Sequence, residues 1–129
     1  AFVSGMDAGK IYNTWPLMGN SYFPDDNKFI SLFKLSAFSD PSLVQYLHRN
    51  LAYLIFIIYI VISYITYRNK FSYLFKPLII LGLIILLQII LGILTVLSGA
   101  SILTASLHQF SSILLITSSL YFLHKNRFS

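Results

Sequence analysis

Two histidines, His48 and His108, lie in otherwise uncharged apolar sequence. Each is about six residues inside a predicted membrane helix, and both helices are expected to enter the membrane from the same face. At ~1.5 Å rise per residue, both imidazoles are predicted to lie roughly 9 Å below that face. An ionisable residue at membrane depth indicates a functional site. Two imidazoles level with each other between adjacent helices can be the axial ligands of a haem iron.

A haem explains the pair better than a bare metal ion does. Iron in a porphyrin needs only two axial nitrogens, whereas a non-haem metal needs three or four protein ligands. No other His, Asp, Glu or Cys is predicted at that depth, and the chain has no cysteine at all. It also lacks a nucleophile–base constellation and a Gly-rich phosphate loop, so any redox chemistry must belong to a cofactor. The alternative is that each histidine is packed and hydrogen-bonded without a ligand.

Small residues share the helix face of His108. They would let a flat macrocycle approach the backbone, although small residues also line close helix–helix contacts. The residues on this face are Thr104, Ala105, Ser111 and Ser112.

Arg49 is the only permanent charge inside the first predicted span. It can anchor a haem propionate, since a guanidinium matches a carboxylate bidentately, or it can extend to the membrane interface. Gln88, near the middle of the second span, is predicted to form an interhelical hydrogen bond. His124 is expected to be solvated at the inner interface.

The composition is that of a membrane protein. Hydrophobic residues make up 57% of the 129 residues and charged residues only 10%, against about 25% charge in a soluble domain. This length supplies three or four spans in one domain.

The charges report topology. All four acids lie in the first 40 residues, and basic residues cluster in one loop and in the tail, which is typical of the cytoplasmic or matrix side. The net charge of +5 therefore does not indicate nucleic-acid binding. The basic residues of the loop and tail are Arg68, Lys70, Lys76, Lys125 and Arg127.

The predicted fold is an all-α membrane protein with an N-terminal outer loop and three transmembrane helices. Residues 1–41 are assigned to a truncated helix end and the loop, and residues 42–129 to a three-span haem-binding bundle. The spans are predicted at about residues 42–67, 77–97 and 102–123, with a tight break at residues 98–101. The aromatic-rich loop can lie on the membrane interface or cover a site between helices, and a short amphipathic helix is expected at residues 27–37.

Four short motifs resemble those of the haem A synthases, the mitochondrial and alphaproteobacterial type of cytochrome oxidase assembly protein. The most specific is DAGKIYNTWPLM at residues 7–18. It is followed by PDD at 24–26, QYLHR at 45–49 and LHQ at 107–109.

The resemblance implies an eight-helix protein of two similar four-helix halves, each with two histidines facing a haem. Such an enzyme oxidises the C8 methyl of haem O to the formyl of haem A. This chain resembles the C-terminal half, so His48 and His108 would be axial ligands of a haem b cofactor. Gln45 stands where the other half carries a glutamate, in keeping with an electron-handling role.

The resemblance also implies partners and a location. Haem O is the expected substrate, taken by an N-terminal half that this sequence is expected to lack, so the chain alone should not perform the reaction. Haem O synthase or a second copy of the chain, and the lipid bilayer, are further expected partners; nucleic acid is not. The expected location is a bacterial or mitochondrial inner membrane. A stand-alone bis-histidine electron-transfer cytochrome is the alternative, followed by a packing or transporter fragment with structural histidines.

Overall fold

The computed structural model describes residues 2–128, which are helical apart from turns and loops. Ala1, the first residue of the predicted segment 1–41, and Ser129, the last residue of the predicted segment 42–129, lie outside the described residues. A one-turn helix α1 spans Phe2–Gly5, and three long helices follow the loop. These are α2 at Pro41–Arg68, α3 at Phe75–Leu97 and α4 at Ile102–Phe128.

Helix α2 begins where the sequence predicts. The side chain of Asp40 accepts a hydrogen bond from the backbone N–H of Leu43 at 3.1 Å, and Pro41 occupies the first turn, where its missing N–H costs nothing. The helix ends at Arg68. The predicted bounds of the first span are thus confirmed to within one residue at each end.

Helices α3 and α4 form an antiparallel hairpin. The four residues between them include Gly99 and Ala100, both with positive φ, at 66° and 57°. This left-handed backbone reverses the chain, and it is strained for alanine. Gln88 of α3 donates to Ser111 of α4 at 2.7 Å, so the predicted interhelical hydrogen bond is confirmed.

The apolar core lies toward the end of the bundle at which α2 joins α3. Its buried members are Leu74, Leu78, Leu81, Ile85 and Phe122, with Phe56 and Tyr59 of α2 packed against them. The Tyr59 hydroxyl donates to the carbonyl of Leu78 at 3.3 Å, directly beside Gly82.

Two segments are long and apolar enough to cross a membrane, Pro41–Arg68 and Ser72–Leu97. Many of their apolar side chains are exposed, as expected of helices that face lipid or other helices. Helix α4 is as long, but polar side chains, His108 and Gln109 among them, dilute its apolar residues. The third span and the eight-helix repeat therefore stay predictions.

The outer loop contains two short 3₁₀ helices, Phe29–Phe33 and Leu35–Ser39, where the sequence predicts one amphipathic helix at residues 27–37. Lys34 has extended backbone between them and interrupts the helix. Phe33 and Leu35 are 77% and 89% exposed, so this segment turns apolar side chains outward.

Candidate functional site: a histidine pair beside the N-terminal loop

His48 and His108 lie side by side. His48 is the eighth residue of its helix, counted from Pro41, and His108 is the seventh, counted from Ile102. Their ring centroids are 6.3 Å apart, and the ring planes are nearly perpendicular, at 89°. Residues 60 positions apart in sequence are therefore brought together at one level of the bundle.

The spacing of the two rings suits two axial ligands of one metal ion. A metal–imidazole bond is about 2.0–2.1 Å long, and a ring nitrogen lies about 1.1 Å from its centroid when the ring bonds are ~1.33 Å. Two imidazoles on opposite sides of one ion therefore have centroids about 6.3 Å apart. Rings on a common axis can be turned through a right angle. The separation and the angle of the two rings are compatible with such a pair, and a porphyrin supplies the four equatorial nitrogens itself.

No three His, Asp or Glu side chains converge within residues 2–128. His48 and His108 offer two nitrogen donors and no third protein ligand beside them.

His108 is held closely by α3. A Cβ atom placed on Gly92 would lie 3.3 Å from Cε1 of His108. Any residue other than glycine would therefore make a tight steric contact with this ring. Gln88 donates to the carbonyl of His108 at 3.3 Å and to Ser111 Oγ at 2.7 Å. The Nδ1 atom of His108 is buried without a hydrogen-bond partner among the described residues. Buried polar atoms are seldom left so, and this nitrogen can therefore take a hydrogen-bonding or ligating partner.

Of the small residues predicted to share the face of His108, Ser111 is buried at the contact between α3 and α4. Thr104 bonds to Ser98 and Ser101 at the hairpin turn. Ala105 and Ser112 stay half-buried. The face is therefore shared between helix packing and the surroundings of the ring.

His48 borders a cavity of about 200 Å³. Its walls are almost wholly apolar, and His48 is the titratable residue among them. Such a lining is typical of cofactor pockets, in which few polar groups fix the orientation of an apolar ligand. The other lining residues are Val3, Phe38, Val44, Leu47 and Leu51.

Arg49 points into the outer loop and is only 9% exposed. Its Nη1 donates to the carbonyl of Leu17 and its Nη2 to the carbonyl of Tyr12, both at 3.2 Å. Its Nε is buried without a partner among the described residues. Two of the five guanidinium N–H donors thus hold the loop, and one that is buried remains for another acceptor.

Gln45 holds the same stretch of loop. Its amide oxygen accepts from the backbone N–H of Tyr12 at 3.2 Å, and its amide nitrogen donates to the carbonyl of Tyr12 at 3.0 Å. Gln45 is four residues before Arg49, so both side chains lie on one face of α2. That face carries the loop, and His48 lies between the two residues in sequence.

The loop also touches the turn between α3 and α4. A Cβ placed on Gly9 would lie 3.2 Å from Cβ of Ala100, and one on Gly99 would lie 3.7 Å from Nδ2 of Asn13. The loop therefore contacts both helices' histidine-bearing ends, that of α2 and that of α4.

Asp26 joins the loop to the start of α2. Its carboxylate accepts hydrogen bonds from Ser42 at 2.5 Å, from Tyr12 at 3.0 Å and from Asn27 at 3.4 Å. Burial raises the pKa of Asp26, but these hydrogen bonds outweigh burial and leave the pKa below its ordinary value of 3.8. Burial, and then the hydrogen bond to Asp26, raise the pKa of Tyr12 above 10.0.

The attachments made by Gln45 and Asp26 were not foreseen from the sequence. The available signal was the four-residue spacing of Gln45 and Arg49, two polar residues at the start of an apolar helix. His124, by contrast, is exposed at the far end of α4, as predicted, with its ring 4.9 Å from that of Phe128.

Residues 1–120 match the family described as cytochrome oxidase assembly protein, COX15-CtaA. The chain is 43% identical over 126 residues to the Heme A synthase of Pelagibacter ubique (strain HTCC1062), which covers 98% of this chain and 37% of that protein. It is 42% identical over 123 residues to the Heme A synthase of Wolbachia pipientis wMel, covering 95% and 33%. The Heme A synthase of Rickettsia prowazekii (strain Madrid E) is 36% identical over 131 residues, covering 98% and 38%.

The chain thus spans about a third of the length of the curated relatives that it matches. No solved structure matches it.

Proposed function

The chain belongs to the COX15-CtaA family of cytochrome oxidase assembly proteins, and we propose that it is the C-terminal, haem b-binding half of a haem A synthase. The complete enzyme would oxidise the C8 methyl of haem O to the formyl of haem A. The observation that carries the proposal is the pair formed by His48 and His108, with ring centroids 6.3 Å apart.

His48 and His108 would hold the iron of haem b. When bound, a haem with two imidazole ligands supplies one-electron transfer and has no open position for a substrate. Helix α3 restricts the movement of His108, because Gly92 lies against its ring and Gln88 donates a hydrogen bond to its backbone carbonyl. A fixed pair of ligands keeps the same geometry in both oxidation states, which favours electron relay over substrate oxidation.

Arg49 would bind a propionate of that haem. Its side chain is buried, positively charged and next in sequence to His48, and its Nε has no partner among the described residues. A carboxylate is the acceptor that a guanidinium binds most strongly. The two carbonyls of the loop orient the guanidinium from the other side.

The outer loop would limit the access of water to the histidines. It is bonded to α2 through Gln45 and Arg49 and touches the turn before α4 through Gly9. Excluding water strengthens the electrostatic interactions of a buried charged group. The loop therefore supports both the propionate contact and the retention of the cofactor.

The proposal includes the membrane topology and the partners. Helices α2, α3 and α4 would all span a bacterial or mitochondrial inner membrane, with the outer loop on the side opposite the basic loop. Haem O would bind to an N-terminal half, and haem O synthase or a second copy of the chain would be a protein partner.

The test is the spectrum of the chain purified from bacterial membranes, together with its haem content. The chain is expected to bind about one haem b with a six-coordinate, low-spin spectrum. His48→Ala and His108→Ala are each expected to abolish that spectrum. His124→Ala is the matched control, because His124 is exposed at the far end of α4, and it should leave the spectrum unchanged.

An unchanged low-spin spectrum in both His48→Ala and His108→Ala would overturn the ligand assignment. Activity is tested separately in a chimera, the Pelagibacter ubique relative in which this chain replaces the matching third. This chimera should form haem A, and its His48→Ala variant should not. A chimera that binds haem b without forming haem A would favour the alternative, an electron-transfer cytochrome.

A further inference from the structure

A groove of about 530 Å³ lies at the junction of α2 and α3. Arg68, one of its lining residues, follows His48 by 20 residues in one helix, so the groove is roughly 30 Å from the histidine pair. It belongs to a separate part of the molecule. Its lining residues are Tyr64, Tyr67, Arg68, Lys70, Ser72 and Phe75.

The charge of the groove is uncompensated by the chain. Arg68 donates one hydrogen bond among the described residues, to the Tyr64 hydroxyl at 3.4 Å. The sequence contains no Asp or Glu after Asp40, and the one ion pair within residues 2–128 is Lys10 with Asp7. Two cationic side chains in one groove without a counter-ion call for an anionic ligand.

Three of the other four lining residues are aromatic. The rings of Tyr67 and Phe75 stack with centroids 6.4 Å apart at an angle of 24°, and Tyr64 and Tyr67 are 62% and 76% exposed. Such rings are typical of the membrane–water boundary, where one side of the ring is apolar and the hydroxyl is hydrated. The ligand should therefore carry both an anionic group and an apolar part.

The position of the groove agrees with this chemistry. It joins the ends of Pro41–Arg68 and Ser72–Leu97, the two segments apolar enough to cross a membrane. A groove at the ends of two such helices lies at the depth of lipid headgroups. Basic pockets between helices on the cytoplasmic or matrix side, which is the side predicted for this loop, bind anionic headgroups.

The backbone fixes one of the two cations. Lys70 has φ 56°, its N–H donates to the carbonyl of Tyr67 at 3.1 Å, and its carbonyl accepts from Ser72 at 2.8 Å. Glycine adopts this left-handed conformation more readily than lysine does. The turn thus keeps a charged side chain at a position that its backbone would favour for glycine.

We propose that this groove binds the phosphate-bearing headgroup of an anionic phospholipid. Arg68 and Lys70 contact the phosphate, and the rings of Tyr67 and Phe75 contact the glycerol and the first part of the acyl chains. Free phosphate shares the anionic group but offers nothing to the aromatic wall.

The test measures lipid retention by the full chain in neutral detergent. Phosphatidylglycerol and phosphatidylcholine are titrated in mixed micelles, and bound lipid is counted by native mass spectrometry. The chain is expected to retain phosphatidylglycerol selectively. Arg68→Gln with Lys70→Gln should lower its apparent affinity by about tenfold. The matched control, Lys125→Gln with Arg127→Gln, removes the same charge from the last turn of α4 and should change the affinity less than about twofold.

An equal loss in both double variants would overturn the proposal, because it would mean a non-specific charge effect. No loss in either would overturn it too, as would displacement of the lipid by equimolar inorganic phosphate. Tyr67→Ala keeps both charges and tests the aromatic wall even if the double variant does not fold. It should weaken retention about threefold, and unchanged retention would contradict the proposal. The assay does not depend on haem, so its outcome is independent of the proposed haem site.

Discussion

Gly92 lies against the imidazole of His108, so closely that a Cβ atom at Gly92 would be 3.3 Å from Cε1 and 3.8 Å from both ring nitrogens. Helix α3, which carries no histidine, therefore determines where the ring of α4 can lie. The absence of a side chain at Gly92 leaves room for the ring position at which the centroids of His48 and His108 are 6.3 Å apart.

Gly92→Ala should disturb the site without disturbing the helix. Alanine favours helix by about 1 kcal/mol over glycine, yet its methyl group presses on the His108 ring. We expect a lower haem content and an altered low-spin spectrum, measured on the purified chain. Gly5→Ala is the control, since nothing lies within 4 Å of that Cβ position. An unaltered spectrum in Gly92→Ala would mean that the contact has no consequence for the ligand.

Arg49→Gln should release the outer loop. The carbonyls of Tyr12 and Leu17 would each lose a charged donor while keeping a neutral one, from Gln45 and Thr14. A hydrogen bond to a charged group contributes about 1.5–3 kcal/mol. Trp15, the one tryptophan of the chain, reports the change through its fluorescence, and limited proteolysis gives a second measure.

Arg49→Lys should restore the loop only in part, because an ammonium does not reproduce the fork that reaches two carbonyls. Arg68→Gln removes the same charge at the far end of α2 and should leave Trp15 fluorescence unchanged. If Arg68→Gln behaves like Arg49→Gln while Arg49→Lys behaves like the unsubstituted chain, then charge rather than the two hydrogen bonds is responsible.

Acid should loosen the loop through Asp26. Its pKa is lower in the folded chain than the ordinary 3.8, so its contribution to docking is complete above about pH 3.8 and is lost as pH falls through the folded pKa. The pKa of Tyr12 is raised above 10.0, so its contribution is complete below about pH 10 and is lost as pH rises through its folded pKa. A pH titration of Trp15 fluorescence measures both limits.

Asp26→Asn should remove the acid transition seen in that titration, while Asp7→Asn, at an exposed ion pair, should leave it in place. The persistence of the transition in Asp26→Asn would assign it to another carboxyl group.

Gly82→Ala should destabilise the helix bundle at the opposite end. A Cβ there would overlap Tyr59, at 2.1 Å from its hydroxyl oxygen and 2.7 Å from Cζ. Overpacking of this kind costs about 1–3 kcal/mol. The thermal midpoint in detergent should fall, and adding Tyr59→Phe, which removes the closest atom, should recover part of the loss. No fall in the midpoint would indicate that Tyr59 moves aside freely.

The long helices were predictable because their signals are local. Asp40 and Pro41 mark the start of α2, and the polar residues at 98–101 interrupt a long apolar run. The far end of α4 was underestimated by five residues, from the predicted 123 to Phe128. The cluster of Lys125 and Arg127 predicts a tail, but cations at a helix C-terminus stabilise the last turn, and both residues lie in α4.

The attachment of the loop was not predictable, because it joins residues far apart in sequence through main-chain atoms. Tyr12 and Gln45 are 33 positions apart, and Tyr12 and Arg49 are 37 apart. No periodicity marks such a contact. The levels of the two histidines, in contrast, follow from helix starts and rise per residue alone, and the structure brings the rings together.

The side chains of Gln45 and Arg49 bind main-chain N–H and carbonyl groups of the loop. These groups belong to Tyr12 and Leu17, and the side chains of Tyr12 and Leu17 take no part in the bonds. The side chains of Trp15 and Leu17 stay 43% and 41% exposed. Because Arg49 binds the main-chain carbonyl of Leu17, this hydrogen bond does not depend on which side chain stands at position 17. The exposed side chains of the loop can accordingly be substituted to fit a different neighbouring protein, while the main-chain hydrogen bonds to α2 are retained.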